Sequence, residues 1–131
     1  MKKTVHVVGA IMENEQGEIF CAKRSATMTL PNYWEFPGGK LESEETKEEA
    51  LAREIQEELG CEIQVGQQVE DTTYEYDSFI VRLETFKAKI IKGNPILLEH
   101  AEAKWLKKEQ LHEVDWAPAD IPAVKKLQEG R

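Results

Sequence analysis

The chain has 131 residues, in which 25 Asp and Glu outnumber 17 Lys and Arg for a formal charge of −8. That length suits one compact domain spanning residues 1–131, and 40% hydrophobic with 32% charged residues is ordinary for a soluble globular chain. No apolar run approaches the ~20 residues that span a bilayer. A pI near 5.0 argues against a nucleic-acid backbone as partner, though not against a small phosphorylated ligand held through a metal.

Residues 4–12 (TVHVVGAIM) are β-branched and apolar and predict a buried strand. A turn at Glu15-Gln16-Gly17 returns the chain into a second strand over 18–23, and the pair reads as a hairpin. Residues 25–34, with Pro31 and Asn32, read as a loop. In Glu35-Phe36-Pro37-Gly38-Gly39-Lys40 the Pro-Gly-Gly run forbids a helix and permits close backbone approach. From Ser43 to Gly60 the signal is helical: Thr46 and Glu49 make a capping-box pattern, and Gly60 sits where a helix ends. Leu51, Ala52, Ile55 and Leu59 give that helix an apolar stripe. Strands are expected over 62–70 and 72–91, the second broken by a turn near Asp77-Ser78. A turn at 93–95, a short strand at 103–106 and helices at 107–112 and 121–128 complete the chain. This order predicts an α/β layered domain with a mixed sheet. Cys21 and Cys61 have neither metal nor redox spacing, so a reduced, cytoplasmic setting is expected.

The long helix has a second feature. Glu54, Glu57 and Glu58 stand at i, i+3 and i+4, which gathers three carboxylates roughly 110–120° around the helix from the apolar stripe. Crowded hard-oxygen ligands suit Mg²⁺ or Mn²⁺ completed by substrate phosphates. Taken alone, the same spacing also fits a solvated acidic face. The three histidines His6, His100 and His112 make no zinc spacing, and no residue order suggests a covalent nucleophile.

Gly39, Glu45, Arg53, Glu54, Ile55, Glu57, Glu58 and Gly60 stand in the order Gly-x5-Glu-x7-Arg-Glu-hydrophobic-x-Glu-Glu-x-Gly. This resembles the Nudix box, with Cys61 where an aliphatic residue is usual. EFPGGK before the box and WAPADIP near the end extend the likeness over nearly the whole chain, and it is similar to the MutT-type enzymes and their CTP-directed relatives. The resemblance implies a Nudix-type α/β/α sandwich with a mixed, curved sheet and a long catalytic helix. It implies Mg²⁺-dependent hydrolysis, with Mn²⁺ as a substitute, of a nucleoside triphosphate to the monophosphate and pyrophosphate. Glu54, Glu57, Glu58 and Glu99 would be catalytic and metal-binding, with the Gly38 carbonyl a further ligand. The general base would be Glu54 or Glu99, and Glu102 is the neighbour that competes with Glu99. Glu45 and Arg53 would be a structural ion pair, supported by Gly39 and Gly60. Substrate contacts would fall to Arg24, Lys40, Phe36, His6 and Asp120, with Tyr33 beside His6, in a monomer or small homo-oligomer.

Asp120 stands where the family places a base-reading side chain, and an ionised carboxylate there accepts from an exocyclic amine such as cytosine N4. The competing reading is a cap on the last helix. The substrate therefore stays divided between 8-oxo-purine and cytidine-type triphosphates. Two other functions remain open: a nucleotide-binding module without turnover, and a nucleoside diphosphate-X hydrolase.

Overall fold

The computed structural model describes residues 1–129. Seven strands and two α-helices follow in order: β1 (Lys3–Met12), β2 (Glu18–Lys23), β3 (Trp34–Glu35), β4 (Gly38–Lys40), α1 (Lys47–Leu59), β5 (Glu62–Glu75), β6 (Phe79–Lys92), β7 (Glu102–Lys107) and α2 (Ile121–Glu129). Two short 3₁₀ turns, Lys108–Glu113 and Pro118–Asp120, lie between β7 and α2. A mixed four-stranded sheet has the order β4-β1-β6-β5, with β1 parallel to β6, and a second sheet has the order β3-β2-β7. No helix among the described residues is long and apolar enough to cross a membrane.

Alternation along the strands sorts side chains into two cores. Val8, Ala10 and Met12 of β1, Phe20 and Ala22 of β2, and Phe86 and Ala88 of β6 pack with Leu51, Ile55 and Leu59 of α1. The opposite faces supply Ile11, Ile19 and Cys21, which pack with Trp116 and with Ala123, Val124 and Leu127 of α2. The result is the expected layering, with helices on both sides of the strands.

The turn at 15–17 forms, but β1 and β2 share only the bridge Glu13–Ile19 before separating into different sheets. β1 then takes β6 as its long partner, because both its faces are apolar and a central position buries both. β5 runs unbroken through Asp71, whose carboxylate is clamped by Arg82 of β6 at 2.8 and 3.1 Å, so the chain breaks only at 76–78. Residues 108–113 form a 3₁₀ turn rather than an α-helix. On α1 the core position belongs to Ala50, while Ala52 is half-buried.

The capping box of α1 is present: Thr46 Oγ1 accepts from the Glu49 N–H at 3.0 Å, and Glu49 Oε1 accepts from the Thr46 N–H at 2.9 Å. Gly60 closes the helix in the left-handed region. Cys61 fills an α1-side core site, as the box position requires of an apolar residue. Both thiols are free and buried; burial pushes Cys21 up to about 12 and also raises Cys61.

β4 lies between β1 and α1, with no room for a side chain at Gly38 or Gly39. A Cβ at Gly38 would overlap the Val8 carbonyl, and one at Gly39 would overlap the Glu54 carboxylate. Gly66, by contrast, meets nothing nearer than 3.4 Å. Gly38→Ala should therefore lower stability by about 3 kcal/mol or more in chemical denaturation, since backbone must move. Gly66→Ala should change it by less than about 1 kcal/mol.

Candidate active site

α1, β3–β4, the 93–101 loop and the 117–120 turn converge on a cavity of about 440 Å³. Its floor is Val5 and Val7 of β1 with Val81 and Leu83 of β6, the faces turned away from α1. Glu58 and Glu99 stand on its wall together with Glu35, Phe36, Lys40 and Asp120.

The three carboxylates of α1 have unlike surroundings. Glu57 is 54% exposed, and Arg53 reaches it at 3.3 Å. Glu54 fills the space left by the missing Gly39 side chain and takes Arg53 Nη1 at 3.0 Å. Burial raises its pKa, against the pull of Arg53. Glu58 is only 8% exposed and its Oε1 has no hydrogen-bond partner. Burial, then the carboxylates of Glu35, Glu54 and Glu99, push it up to about 9. Its burial corrects the exposed acidic face: Leu51 and Glu58 are seven residues apart, so the glutamate stands in the apolar stripe itself. Among the described residues no three His, Cys, Asp or Glu side chains already form a coordination shell. Glu54 and Glu57 are instead turned onto Arg53.

Arg53 makes further bonds. It donates to both oxygens of Glu45 at 2.7 and 3.0 Å and to the Lys40 carbonyl at 3.2 Å, joining the loop after β4 to α1. The 93–101 loop is fastened to the end of α1, where the Ile96 and Leu98 N–H groups donate to the Leu59 and Glu58 carbonyls at 2.8 and 3.2 Å. This brings Glu99, and not Glu102, to the cavity. Glu99 is close enough to Glu54 and Glu58 to raise both, and its own carboxylate makes no hydrogen bond or ion pair.

At the other end Asp120 is 5% exposed and accepts the Phe36 N–H at 3.1 Å. It does not cap α2. Burial, then Glu35, raises its pKa well above the ordinary value, against the Phe36 N–H and Arg24. The Phe36 ring is backed by Trp116 at 4.6 Å. Tyr76, which the sequence reading passed over, fixes this corner by accepting the Ala119 N–H at 3.1 Å. Its only sequence signal is the aromatic alternation Tyr74-Glu75-Tyr76.

Arg24 lines the cavity, but its guanidinium is engaged by Glu35 at 2.6 Å and by Thr29. Glu35 and His100, also passed over, are joined at 2.8 Å. His6 is misplaced by the sequence reading. It stands on the α1 side of β1, bonded to the buried Glu84, which also takes Lys47 and Gln68 at 2.8 and 2.9 Å. Strand alternation sends His6 to the face opposite Val5 and Val7. Tyr33 does not line the cavity either; its carbonyl accepts the Arg24 N–H.

Residues 3–127 match the family model described as NUDIX domain. The chain is 37% identical over 122 residues to a CTP pyrophosphohydrolase of Escherichia coli strain K12, covering 93% of this chain and 90% of that one. It is also 37% identical over 127 residues to an 8-oxo-dGTP diphosphatase of the same strain, covering 97% and 98%. Among solved structures, the MutT protein of methicillin-resistant Staphylococcus aureus 252 is 51% identical, with TM-score 0.79 over 99% of this chain and all of that one.

The Glu58 environment has a thermodynamic consequence. Folded, this carboxyl keeps its proton up to about 9, whereas unfolded it loses it near the ordinary 4.5. Between those values unfolding releases a proton, so stability falls as pH rises. In protein stripped of divalent ions, Glu58→Gln should raise Tm by several degrees at pH 8, roughly, and the gain should shrink at pH 5.

Proposed function

The chain belongs to the Nudix family of hydrolases, and from that premise we propose that it cleaves nucleoside triphosphates to the monophosphate and pyrophosphate with Mg²⁺. One observation carries this reading: a buried Glu58 oxygen without a partner, surrounded by carboxylates beside a cavity. A buried acid in that position is costly unless it is protonated or meets a cation. The all-oxygen donor set suits a hard divalent ion, and Mn²⁺ would serve as well. Glu54, Glu57 and Glu58, with the Gly38 carbonyl, would hold it. When bound, such an ion offsets triphosphate charge and makes water a better nucleophile.

The remaining steps belong to the protein. Glu99 takes the proton from the attacking water, because its carboxylate is uncommitted while Glu54 is held by Arg53. Lys40 contacts the phosphates, and Arg53 with Glu45 holds the Gly38–Lys40 strand to α1. Arg24 braces the 25–32 loop through Thr29 and so shapes the nucleoside end of the cavity.

Asp120 reads the base. Its raised pKa favours the neutral acid, which donates one hydrogen bond and accepts another. That pair matches the N3 and N4–H₂ edge of cytosine. It equally matches the O6 and N7–H edge of 8-oxoguanine, whereas unmodified guanine offers two acceptors there. One side chain thus favours both cytidine-type and 8-oxo-guanine triphosphates over dGTP, and clearing such nucleotides from the pool is the corresponding role.

Pyrophosphate release with Mg²⁺ should be faster from 8-oxo-dGTP or CTP than from dGTP; equal rates would remove Asp120 from base reading, and no release from any would remove the hydrolase reading. Glu99→Gln should cut kcat by about 10²–10⁴-fold, and Glu57→Gln should raise the Mg²⁺ needed for half-maximal rate. For the favoured substrate KM should climb with rising pH once Asp120 loses its proton, at a pH above the ordinary carboxyl range. Asp120→Asn, whose amide keeps a donor and an acceptor at every pH, should abolish that climb.

A further inference from the structure

We propose that Glu35 and His100 form a positioning pair that holds the Glu99 backbone in its catalytic place, an inference resting on the reading of Glu99 as the general base. His100 directly follows Glu99, and its side chain is completely buried. Nε2 donates to Glu35 Oε2 at 2.8 Å, while Nδ1 has no partner. A buried ring with one satisfied nitrogen destabilises the fold relative to an apolar residue of equal size. Core packing alone therefore gives no reason for an imidazole at this position.

Glu35 is suited to act as the fixed end. Its backbone pairs with Ala22 of β2, and its second oxygen accepts Arg24 Nη1 at 2.6 Å. Arg24 is held in turn by the Thr29 carbonyl and hydroxyl. The carboxylate is thus clamped from one side, and His100 is fastened to it from the other. Around Glu99 the chain is anchored on both flanks: the Leu98 N–H bonds to the Glu58 carbonyl at 3.2 Å, and the Ala101 N–H bonds to the Lys23 carbonyl at 2.9 Å. Among the described residues, the His100–Glu35 bond is the only side-chain hydrogen bond or ion pair made by residues 98–101. Residue 99 is itself exposed and makes no bond that would hold it. The same carboxylate that braces the nucleoside end of the cavity therefore fixes the residue that acts at the phosphate end.

The test is a double-mutant cycle on kcat at saturating substrate and Mg²⁺, with Tm measured for each variant. His100→Phe preserves bulk without the N–H, and should lower kcat roughly ten- to a hundredfold with little change in KM. His100→Gln, which again offers an N–H toward Glu35, should recover most of that loss. In a Glu99→Gln background His100→Phe should cost less than about twofold, since the group it positions is gone. Glu35→Ala approaches the pair from β3 and should show the same loss of effect, so the proposal is tested even if His100→Phe fails to fold. A full, additive loss in the Glu99→Gln background overturns the pair as a positioning device and leaves it structural. An undiminished kcat in His100→Phe or Glu35→Ala also overturns it. If Glu99→Gln alone leaves kcat unchanged, the general-base reading falls first, and the pair's role falls with it.

Discussion

Like charges packed beside one cavity set the terms for this structure. Glu35, Glu54 and Glu99 lie close enough to raise Glu58, Glu99 acts on Glu54 as well, and Asp120 is drawn into the same field through Glu35. Left alone, such a cluster would swell or protonate. The fold answers with two arginines placed at its margins and not at its centre. Arg53 takes Glu45, Glu54 and Glu57 along one side of α1, and Arg24 takes Glu35 at the far end. Between them Glu58 keeps an unmatched oxygen. The repulsion is therefore reduced without being cancelled, which leaves room for positive charge arriving with substrate.

Close packing is the second half of that arrangement. Carboxylates can be brought this near only because β4 presents two glycines, one against β1 and one against Glu54. The distances within the cluster are thus determined by backbone contact, which is stiffer than any side-chain rotamer. Arg53 reinforces the same strand through the Lys40 carbonyl.

The sequence revealed most of this where local chemistry decides the outcome. The capping box, the Pro-Gly-Gly run and the spacing of the box residues are short-range signals, and α1 and β4 stand where they point. Partners chosen over long range were not legible. A β1–β2 hairpin is the local solution, yet β1 pairs with β6 because both its faces need covering. His6 went astray for a related reason: alternation says that it faces away from Val5 and Val7, but not which face borders the cavity. Glu58 could have been read as buried, since it continues the Leu51 stripe by two helical turns. Glu35 and His100 are 65 residues apart, and nothing in either neighbourhood announces the other.

The two cysteines, finally, bear on where such a protein can work. Both are shut away from solvent, and burial holds Cys21 near 12 while also raising Cys61. Peroxide attacks the thiolate, and at neutral pH these sites offer almost none. The proposed 8-oxo-guanine substrate arises when oxidants are abundant. The proposed site is built from carboxylates and glycines, and the two thiols are sealed inside the cores. The protein's thiols are thus kept out of reach of oxidants.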